Sequence, residues 1–336
     1  MSVLMPTYQG QEFLRCALES ICKFSVGDTE VILIDDGSTD QTVTLAQTYV
    51  NRLQMRVLQP TPRRNWIAMT NIGLSEATGR WCCILHQDDA WLPDRAVSLL
   101  PRLGADTVSM ICFQTPIIDE RDLNVGMWRF PRAVRQYVGT PTRSPLAASL
   151  YVQNWLAVPS VVFDTALARS AGGFDEDLWY TADWDMWLKL LRRAPAILSE
   201  GQVAAFRIHS HSQTVLRSGN PSVFRGQLET VQQRHRWAPD TCPRPPLYRK
   251  AGVLSTATNS AMAAAFHFRR SGYISWLRAL TSAGFRGARV YAANSAIVDR
   301  LIPRVKIQLK SVFRSLRRYR GSPPIHDDWP VSASRH

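Results

Sequence analysis

The sequence predicts an α/β fold in which a mostly parallel sheet is flanked by helices. In the first ninety residues, short apolar runs alternate with segments whose apolar residues recur at helical spacing. Two of these runs end in acidic pairs, Asp35-Asp36 and Asp88-Asp89. In open parallel sheets, ligands bind in the crevice beyond the carboxyl ends of the strands, so both pairs are expected at one site.

The apolar runs at 2–5, 30–34, 55–58 and 81–85 are predicted strands, because strands buried on both faces give continuous apolar sequence. Helices are predicted between them, including 42–50 and 66–77. Further along, strands are expected at 159–163 and 205–209, and a helix is expected to begin near residue 183. Strand and helix alternating in this way favours a sheet covered on both faces.

The 336 residues are enough for one large domain with an appendage. We predict a main domain at 1–235, a Pro-rich linker at 236–250, a basic helical extension at 251–322 and a disordered tail at 323–336. The net charge of +13 is confined to the last third of the chain. Residues 236–336 carry 18 Lys and Arg against 4 Asp and Glu, whereas residues 1–235 carry 22 against 23.

The six cysteines contain no C-x-x-C pair and no Cys/His cluster with zinc-ligand spacing. Scattered thiols of this kind are typical of a reducing compartment, so a cytoplasmic location is expected. No signal peptide is expected at the first residues, and no run of about 18 apolar residues predicts a spanning helix.

Neither a G-x-G-x-x-G loop nor a P-loop is present, so a bound nucleotide would need another counter-charge for its phosphates. A divalent cation held by Asp88 would supply it, and carboxylate oxygens suit Mg²⁺ or Mn²⁺. The alternative is that the acidic pairs are simply turn residues. Two pairs after strands of the same type favour a site.

Asp183 and Asp185 lie near the start of a predicted helix, where the helix dipole stabilises a carboxylate. They are candidates for a general base, and the alternative is that they only cap the helix. Arg207 and His209 end a strand-like run, and a lone histidine there is more often structural than a ligand.

Taken together, these segments resemble a family-2 glycosyltransferase of the GT-A fold, over roughly residues 2–214. The motifs that carry the resemblance follow the family's order: Val3-Leu4-Met5-Pro6-Thr7-Tyr8, Ile34-Asp35-Asp36-Gly37-Ser38, Ala68-Met69-Thr70-Asn71-Ile72-Gly73, Leu85-His86-Gln87-Asp88-Asp89, Gly172-Gly173-Phe174-Asp175-Glu176, Asp183-Trp184-Asp185 and Arg207-Ile208-His209.

The resemblance implies a Rossmann-like GT-A sheet with an α-helical C-terminal extension, and inverting transfer of a sugar from a UDP-, dTDP- or GDP-linked donor to a glycan or lipid-linked acceptor. It also implies a role in cell-surface polysaccharide or lipopolysaccharide assembly and dependence on Mn²⁺ or Mg²⁺. The implied catalytic residues are Asp183, with Asp185 as the second candidate. The implied nucleotide-sugar contacts are Pro6, Thr7, Tyr8, Asp35, Asp36, Arg64, Asn71 and His86. The implied metal ligands are Asp88, Asp89 and His209.

Three positions depart from the family pattern. His86 replaces the first aspartate of the family's D-x-D, which lowers the acidity of the metal site or gives a ribose contact to a neutral side chain. Ala182 stands where a glutamate often precedes the base. Thr70 replaces a frequent arginine, and Arg63 and Arg64 are candidates to replace its phosphate contact.

The segment 303–320 predicts a basic amphipathic helix that begins at a proline. One reading is contact with an anionic membrane surface, on the inner face of the plasma membrane. The other is a helix that packs its apolar stripe on the main domain and leaves its basic face in water.

Two other classes of function stay open at this point. A nucleotidyltransferase shares the sheet and acidic turns but usually has a Gly-rich loop after its first strand, which this chain lacks. A non-catalytic, membrane-associated member of the family is the other, given His86. Nucleic acid is not expected as a partner, because the main domain has no net positive charge.

Overall fold

The computed structural model of the protein describes residues 1–209, 220–266, 273–299 and 301–303. In chain order the strands are β1 (Ser2–Thr7), β2 (Glu30–Asp35), β3 (Gln54–Leu58), β4 (Trp81–Ile84), β5 (Ala90–Trp91), β6 (Met110–Phe113), β7 (Thr115–Ile118), β8 (Asn124–Trp128), β9 (Val161–Asp164), β10 (Ala196–Ser199) and β11 (Ala204–Arg207).

The main sheet has the strand order β10-β6-β9-β4-β1-β2-β3. β1 pairs in parallel with β2 and β4, β2 with β3, and β6 with β10. β9 alone among these strands runs antiparallel, between β4 and β6. Residues 31–34 of β2 are fully buried on both faces, as their continuous apolar sequence predicts. The mostly parallel sheet is confirmed.

The helices cover both faces of this sheet. In chain order they are α1 (Leu14–Phe24), α2 (Thr42–Gln47), α3 (Trp66–Glu76), α4 (Arg95–Leu99), α5 (Ser144–Val152), α6 (Thr165–Ser170), α7 (Ala182–Arg193), α8 (Pro221–Arg234), α9 (Trp237–Asp240), α10 (Pro245–Phe266) and α11 (Tyr273–Ser295). The side chains of Asn65, Asp164 and Asn220 accept hydrogen bonds from the first turns of α3, α6 and α8. These caps fix where the three helices begin.

A smaller sheet has the order β5-β11-β7-β8. β11 pairs in parallel with β7 and antiparallel with β5. Because β5 directly follows the turn at 86–89, this pairing brings the end of β11 next to that turn.

The predicted strand at 159–163 is displaced, since β9 begins at Val161. Pro159 lies instead in a short 3₁₀ turn, Val158–Ser160. Proline has no N–H to donate to a sheet, so the strand starts after it.

The structure corrects the predicted Pro-rich linker at 236–250, because much of this segment is helical. It contains α9 and the first turn of α10, which starts at Pro245. Proline fits the first helical turn, where its missing N–H costs no hydrogen bond. Ala238 lies in the same apolar core as Leu4 and Leu228, so the core continues across residue 235.

The helical extension is confirmed where the structure describes it. Leu254 and Ala257 of α10 pack against Ala279 and Ala283 of α11. The predicted helix at 303–320, beyond its first residue, and the tail at 323–336 lie outside the described residues. Within the described ranges, no helix is both long enough and apolar enough to span a bilayer.

Candidate active site

The predicted nucleotide loop follows β1 at the carboxyl edge of the sheet. Pro6 and Thr7 are buried, and the Thr7 hydroxyl donates to the Ile34 carbonyl at 3.4 Å. Tyr8 turns outward and is 38% exposed. Its N–H donates to Gln87 Oε1 at 2.8 Å, and its carbonyl accepts from Gln87 Nε2 at 3.0 Å. Gln87 therefore ties this loop to the turn after β4.

The acidic pair after β2 shapes two neighbouring loops. Asp35 is buried and accepts from the N–H and the hydroxyl of Ser38 at 2.8 and 2.5 Å. Asp36 is also buried, and it accepts from the backbone N–H groups of residues 63–65 at 2.6 to 3.0 Å. Both carboxylates thus fix backbone beside the predicted nucleotide site, and a direct contact with base or ribose stays a prediction.

The loop that Asp36 holds contains Arg64 with a φ of 52°. This is the left-handed region, which residues other than glycine rarely adopt. The Arg64 guanidinium carbon lies 4.0 Å from the centre of the Tyr8 ring. This cation–π contact brings two predicted nucleotide-sugar residues together at the rim of the site.

Asn71 lies on α3 and bridges to the segment before α7. Its amide accepts from the Phe174 N–H at 2.9 Å and donates to the Phe174 carbonyl at 2.8 Å. Gly173 has a φ of 72°, and a Cβ there would lie 2.8 Å from Asn71 Oδ1. The Asn71 amide therefore holds the loop that leads to Asp183, and its predicted contact with the nucleotide sugar stays untested.

The turn after β4 carries two aspartates in different surroundings. Asp88 Oδ2 lies 2.9 Å from His209 Nε2. Burial favours a raised pKa for Asp88, but the hydrogen bond from His209 and the charges of His86 and His209 outweigh it and lower the pKa. Asp89 is 1% exposed, and burial raises its pKa to about 6.

Arg207 secures this turn from β11. Its backbone N–H donates to Asp89 Oδ1 at 2.9 Å, and its side-chain Nε donates to the Asp88 carbonyl at 2.6 Å. The buried guanidinium also donates to the Asp119 carbonyl at 2.9 Å and pairs with Asp122 at 2.7 Å. The sequence marked Arg207 only as the end of a strand, so this positioning role was missed.

Asp88 and His209 fit a divalent cation that also binds a diphosphate. Among the described residues, no three His, Cys, Asp or Glu side chains gather closely enough to hold an ion by themselves. Mg²⁺ usually takes one or two carboxylates and completes its shell with water and substrate phosphates. The Asp89 Oδ2 atom and the His209 Nδ1 atom are buried and have no hydrogen-bond partner, so both atoms can still bind a ligand.

Asp183 lies in the first turn of α7, as predicted, and its Oδ2 accepts from Asn154 Nδ2 at 2.9 Å. Burial raises the pKa of Asp183 to about 6, while hydrogen bonds and the charge of His86 oppose that rise. Asp183 also interacts electrostatically with His86 of the turn at 86–89. An aspartate with this pKa is ionised at neutral pH yet more basic than usual.

His86 interacts with the carboxylates of Asp89, Asp88 and Asp183. Its Nδ1 atom is 3.6 Å from Asp89 Oδ2, and its ring meets Trp66 edge-on with centroids 5.1 Å apart. Burial lowers the pKa of His86, but Asp89, Asp88 and Asp183 together raise it above its ordinary value. His86 thus replaces the carboxylate of the family pattern with an imidazole whose protonation the neighbouring aspartates favour.

Asp185 lies apart from this arrangement and is fully buried. Its carboxylate meets Lys189 Nζ at 2.7 Å, His235 Nε2 at 2.9 Å and an Arg234 nitrogen at 3.7 Å. Burial favours a raised pKa for Asp185, but hydrogen bonds and electrostatic interactions with His235 and Lys189 outweigh it and lower the pKa. Such a carboxylate is a weak base, so the geometry favours Asp183 of the two candidates.

The structure therefore brings most of the predicted residues to one edge of the sheet. Gln87 and Asn154 are functional candidates that sequence reasoning missed. The only signal for Gln87 was its place inside the His86–Asp89 motif, and Asn154 had none.

A mostly parallel sheet with acidic turns at its carboxyl edge defines the GT-A class of glycosyltransferase fold. The structure of S. aureus TarS residues 1–349 in complex with UDP-GlcNAc is similar, with a TM-score of 0.62 and 17% identity over 86% of this chain and 82% of the 1–349 chain. The mannosyltransferase PcManGT from Pyrobaculum calidifontis, in complex with GDP-Man and Mn²⁺, has a TM-score of 0.50 and 15% identity over 86% of each chain.

Residues 2–149 match the family model described as glycosyl transferase family 2. An uncharacterized glycosyltransferase of Rickettsia typhi is 25% identical over 217 residues, which is 64% of this chain and 65% of that protein. The chain thus spans less than two thirds of that relative's length. The match over residues 2–149 and this relative confirm the predicted resemblance to family-2 glycosyltransferases, and the solved structures confirm the predicted fold.

Proposed function

We propose that the protein transfers a sugar from a nucleoside-diphosphate sugar to an acceptor hydroxyl, with inversion at the anomeric carbon. The observation that carries this proposal is the Asp183 carboxylate, which accepts a hydrogen bond from Asn154 and interacts electrostatically with His86 of the turn at 86–89. The turn supplies the phosphate side of the site and Asp183 supplies the acceptor side.

Asp183 acts as the general base. The acceptor hydroxyl must lose its proton as its oxygen attacks, and a positioned base contributes about 10²–10⁴-fold to such a step. With a pKa of about 6, Asp183 is largely ionised at neutral pH and binds the proton more strongly than an ordinary aspartate. Asn154 orients the carboxylate and stabilises its charge.

The reaction is a single displacement. A bond forms between the acceptor oxygen and the anomeric carbon as the bond from that carbon to the diphosphate oxygen breaks, and the hydroxyl proton passes to Asp183. Attack opposite the leaving group inverts the anomeric configuration, and no covalent sugar–enzyme bond is needed.

Asp88 and His209 would hold Mn²⁺ or Mg²⁺, with Asp89 as a further candidate. When bound, the ion neutralises the negative charge that the leaving diphosphate gains. Arg207 keeps Asp88 and Asp89 in place, and the nucleotide lies against the loops at residues 6–8, 35–36 and 63–65. The complexes of TarS with UDP-GlcNAc and of PcManGT with GDP-Man and Mn²⁺ support a nucleotide sugar and a divalent ion.

The donor in this proposal is UDP-, dTDP- or GDP-linked, and the acceptor is a glycan or a lipid-linked glycan in cell-surface polysaccharide or lipopolysaccharide assembly. The protein works in the cytoplasm and at the inner face of the plasma membrane. The excess of 14 positive charges in residues 236–336 supports contact with an anionic membrane, with 303–320 as the segment expected from the sequence.

The test of this function is Asp183→Asn, assayed by release of nucleoside diphosphate from UDP-, GDP- and dTDP-sugars in the presence of a glycolipid extract. We expect turnover to fall by about 10²–10⁴-fold. The dissociation constant of the nucleotide sugar should stay unchanged, because Asp183 faces the acceptor.

The matched control is Asp94→Asn, at an exposed position, which should leave turnover unchanged. Unchanged turnover in Asp183→Asn, or an equal loss of nucleotide-sugar binding, would remove Asp183 from the role of base.

A further inference from the structure

Helix α11 presents an outer surface of exposed apolar side chains. Tyr273, Ile274 and Leu277 are 57%, 68% and 52% exposed, and Phe285 is 78% exposed just beyond a break in the helix at Gly284. Tyr273, Ile274 and Leu277 lie within two turns of the same helix, and exposed apolar side chains grouped in this way mark a contact surface more often than ordinary protein surface.

The opposite side of α11 is firmly packed, so this exposure is not the sign of a detached helix. Ala279 and Ala283 are buried against α10, and Trp276 Nε1 donates to Thr258 Oγ1 at 3.2 Å. The outer surface of α11 therefore has a fixed orientation, and among the described residues nothing covers it.

Positive charge surrounds these apolar side chains. Arg278, Arg286 and Arg289 are exposed on the same helix, and the Arg289 guanidinium carbon lies 5.7 Å from the Phe285 ring centre. The sequence has no Asp or Glu from residue 241 to residue 298, a stretch that contains both α10 and α11. A partner that is both apolar and negatively charged would complement this surface.

We propose that the outer surface of α11 docks on an anionic lipid bilayer. Tyr273, Ile274, Leu277 and Phe285 enter the boundary between headgroups and acyl chains, and the three arginines meet lipid phosphates. This surface differs from the 303–320 segment that the sequence suggested. The inference deepens the proposed membrane association by naming the face that makes the contact.

The chain's own C-terminal segment is a poorer occupant of this surface. Residues 304–320 carry Arg304, Lys306, Lys310 and four further arginines without any acidic residue. Their charge would repel that of α11, whereas an anionic leaflet attracts both. A second copy of the chain would bring the same positive charge to the contact.

The test is flotation of the full-length protein with vesicles of phosphatidylcholine, with and without phosphatidylglycerol. We expect binding only to the anionic vesicles. Each arginine near an anionic leaflet changes the binding constant by about fivefold. Arg278→Gln/Arg286→Gln/Arg289→Gln should therefore weaken binding by about 100-fold, and Ile274→Ser/Leu277→Ser/Phe285→Ser should weaken it at least as much.

The matched control is Val97→Ser/Leu123→Ser, which removes equally exposed apolar side chains from the family-2 domain and should bind vesicles like the wild type. Leu309→Ser/Phe313→Ser tests the C-terminal segment separately. The inference would be overturned if that variant lost vesicle binding while both α11 variants kept it. It would also be overturned if the wild-type protein did not bind anionic vesicles.

Sedimentation of the wild type without lipid tests whether this surface mediates self-association. A dimer that both α11 variants convert to monomers, with no vesicle binding, would assign the surface to self-association instead. Because release of nucleoside diphosphate is measured separately, failure of membrane docking and failure of the proposed transfer are distinguishable.

Discussion

Asn154→Ala should move the pH dependence of the reaction. Asn154 Nδ2 donates to Asp183 Oδ2 at 2.9 Å and so stabilises the ionised carboxylate. A hydrogen bond to a charged group is worth about 1.5–3 kcal/mol, and one pKa unit corresponds to about 1.4 kcal/mol. Removing the bond should raise the pKa of Asp183 from about 6 to about 7–8.

The sign follows from the role of a base, which works only when it is deprotonated. At pH 7 about nine tenths of Asp183 is ionised in the wild type, and about half or less in Asn154→Ala. Turnover should therefore fall by about two- to tenfold at pH 7 and recover toward the wild-type value as the pH approaches 9.

The assay is release of nucleoside diphosphate under saturating donor from pH 5 to pH 9, with Asn51→Ala, at an exposed position, as the control. The reasoning is refuted if Asn154→Ala keeps the wild-type midpoint, or if its loss of turnover is the same at every pH.

Three further outcomes are expected. Gly173→Ala should lower the melting temperature in thermal unfolding, because positive φ costs about 1–2 kcal/mol and the new Cβ meets the Asn71 amide; Gly104→Ala, in open space, should not. Asp185→Ala should cost about 1–3 kcal/mol in urea unfolding, because it removes the buried acceptor of the hydrogen bonds from Lys189 and His235. This contribution in the wild type should be lost as pH falls below the ordinary value of 3.8. Gln87→Ala should weaken calorimetric nucleotide binding by up to about 30-fold, at about 1 kcal/mol for each of two lost hydrogen bonds; an unchanged dissociation constant would contradict this.

The sheet could be predicted because its strands are buried on both faces. Such strands leave continuous apolar runs, and the observed bounds of β1 to β4 lie within two residues of the predicted ones. The Pro-rich segment at 236–250 could not be read correctly in the same way. Proline is compatible with a linker and with the first turn of a helix, and only packing against the core decides between them.

The position of the acidic turns in the site could be predicted because the topology alone places them at one edge of the sheet. Asn154 and Gln87 were not, since their partners lie 29 and 79 residues away along the chain. Only one of these two partners of Asp185 could be predicted from the sequence. Lys189 is four residues further on the same helix, whereas His235 is 50 residues away.

The central claim is that the carboxyl edge of this sheet binds a nucleoside diphosphate with a divalent ion. Calorimetric titration of UDP, GDP and dTDP, each with Mn²⁺ and with EDTA, tests it most directly. We expect tight binding of one nucleotide with Mn²⁺, much weaker binding with EDTA, and the same loss in Asp88→Asn. Failure of the wild type to bind any of the three nucleotides would contradict it.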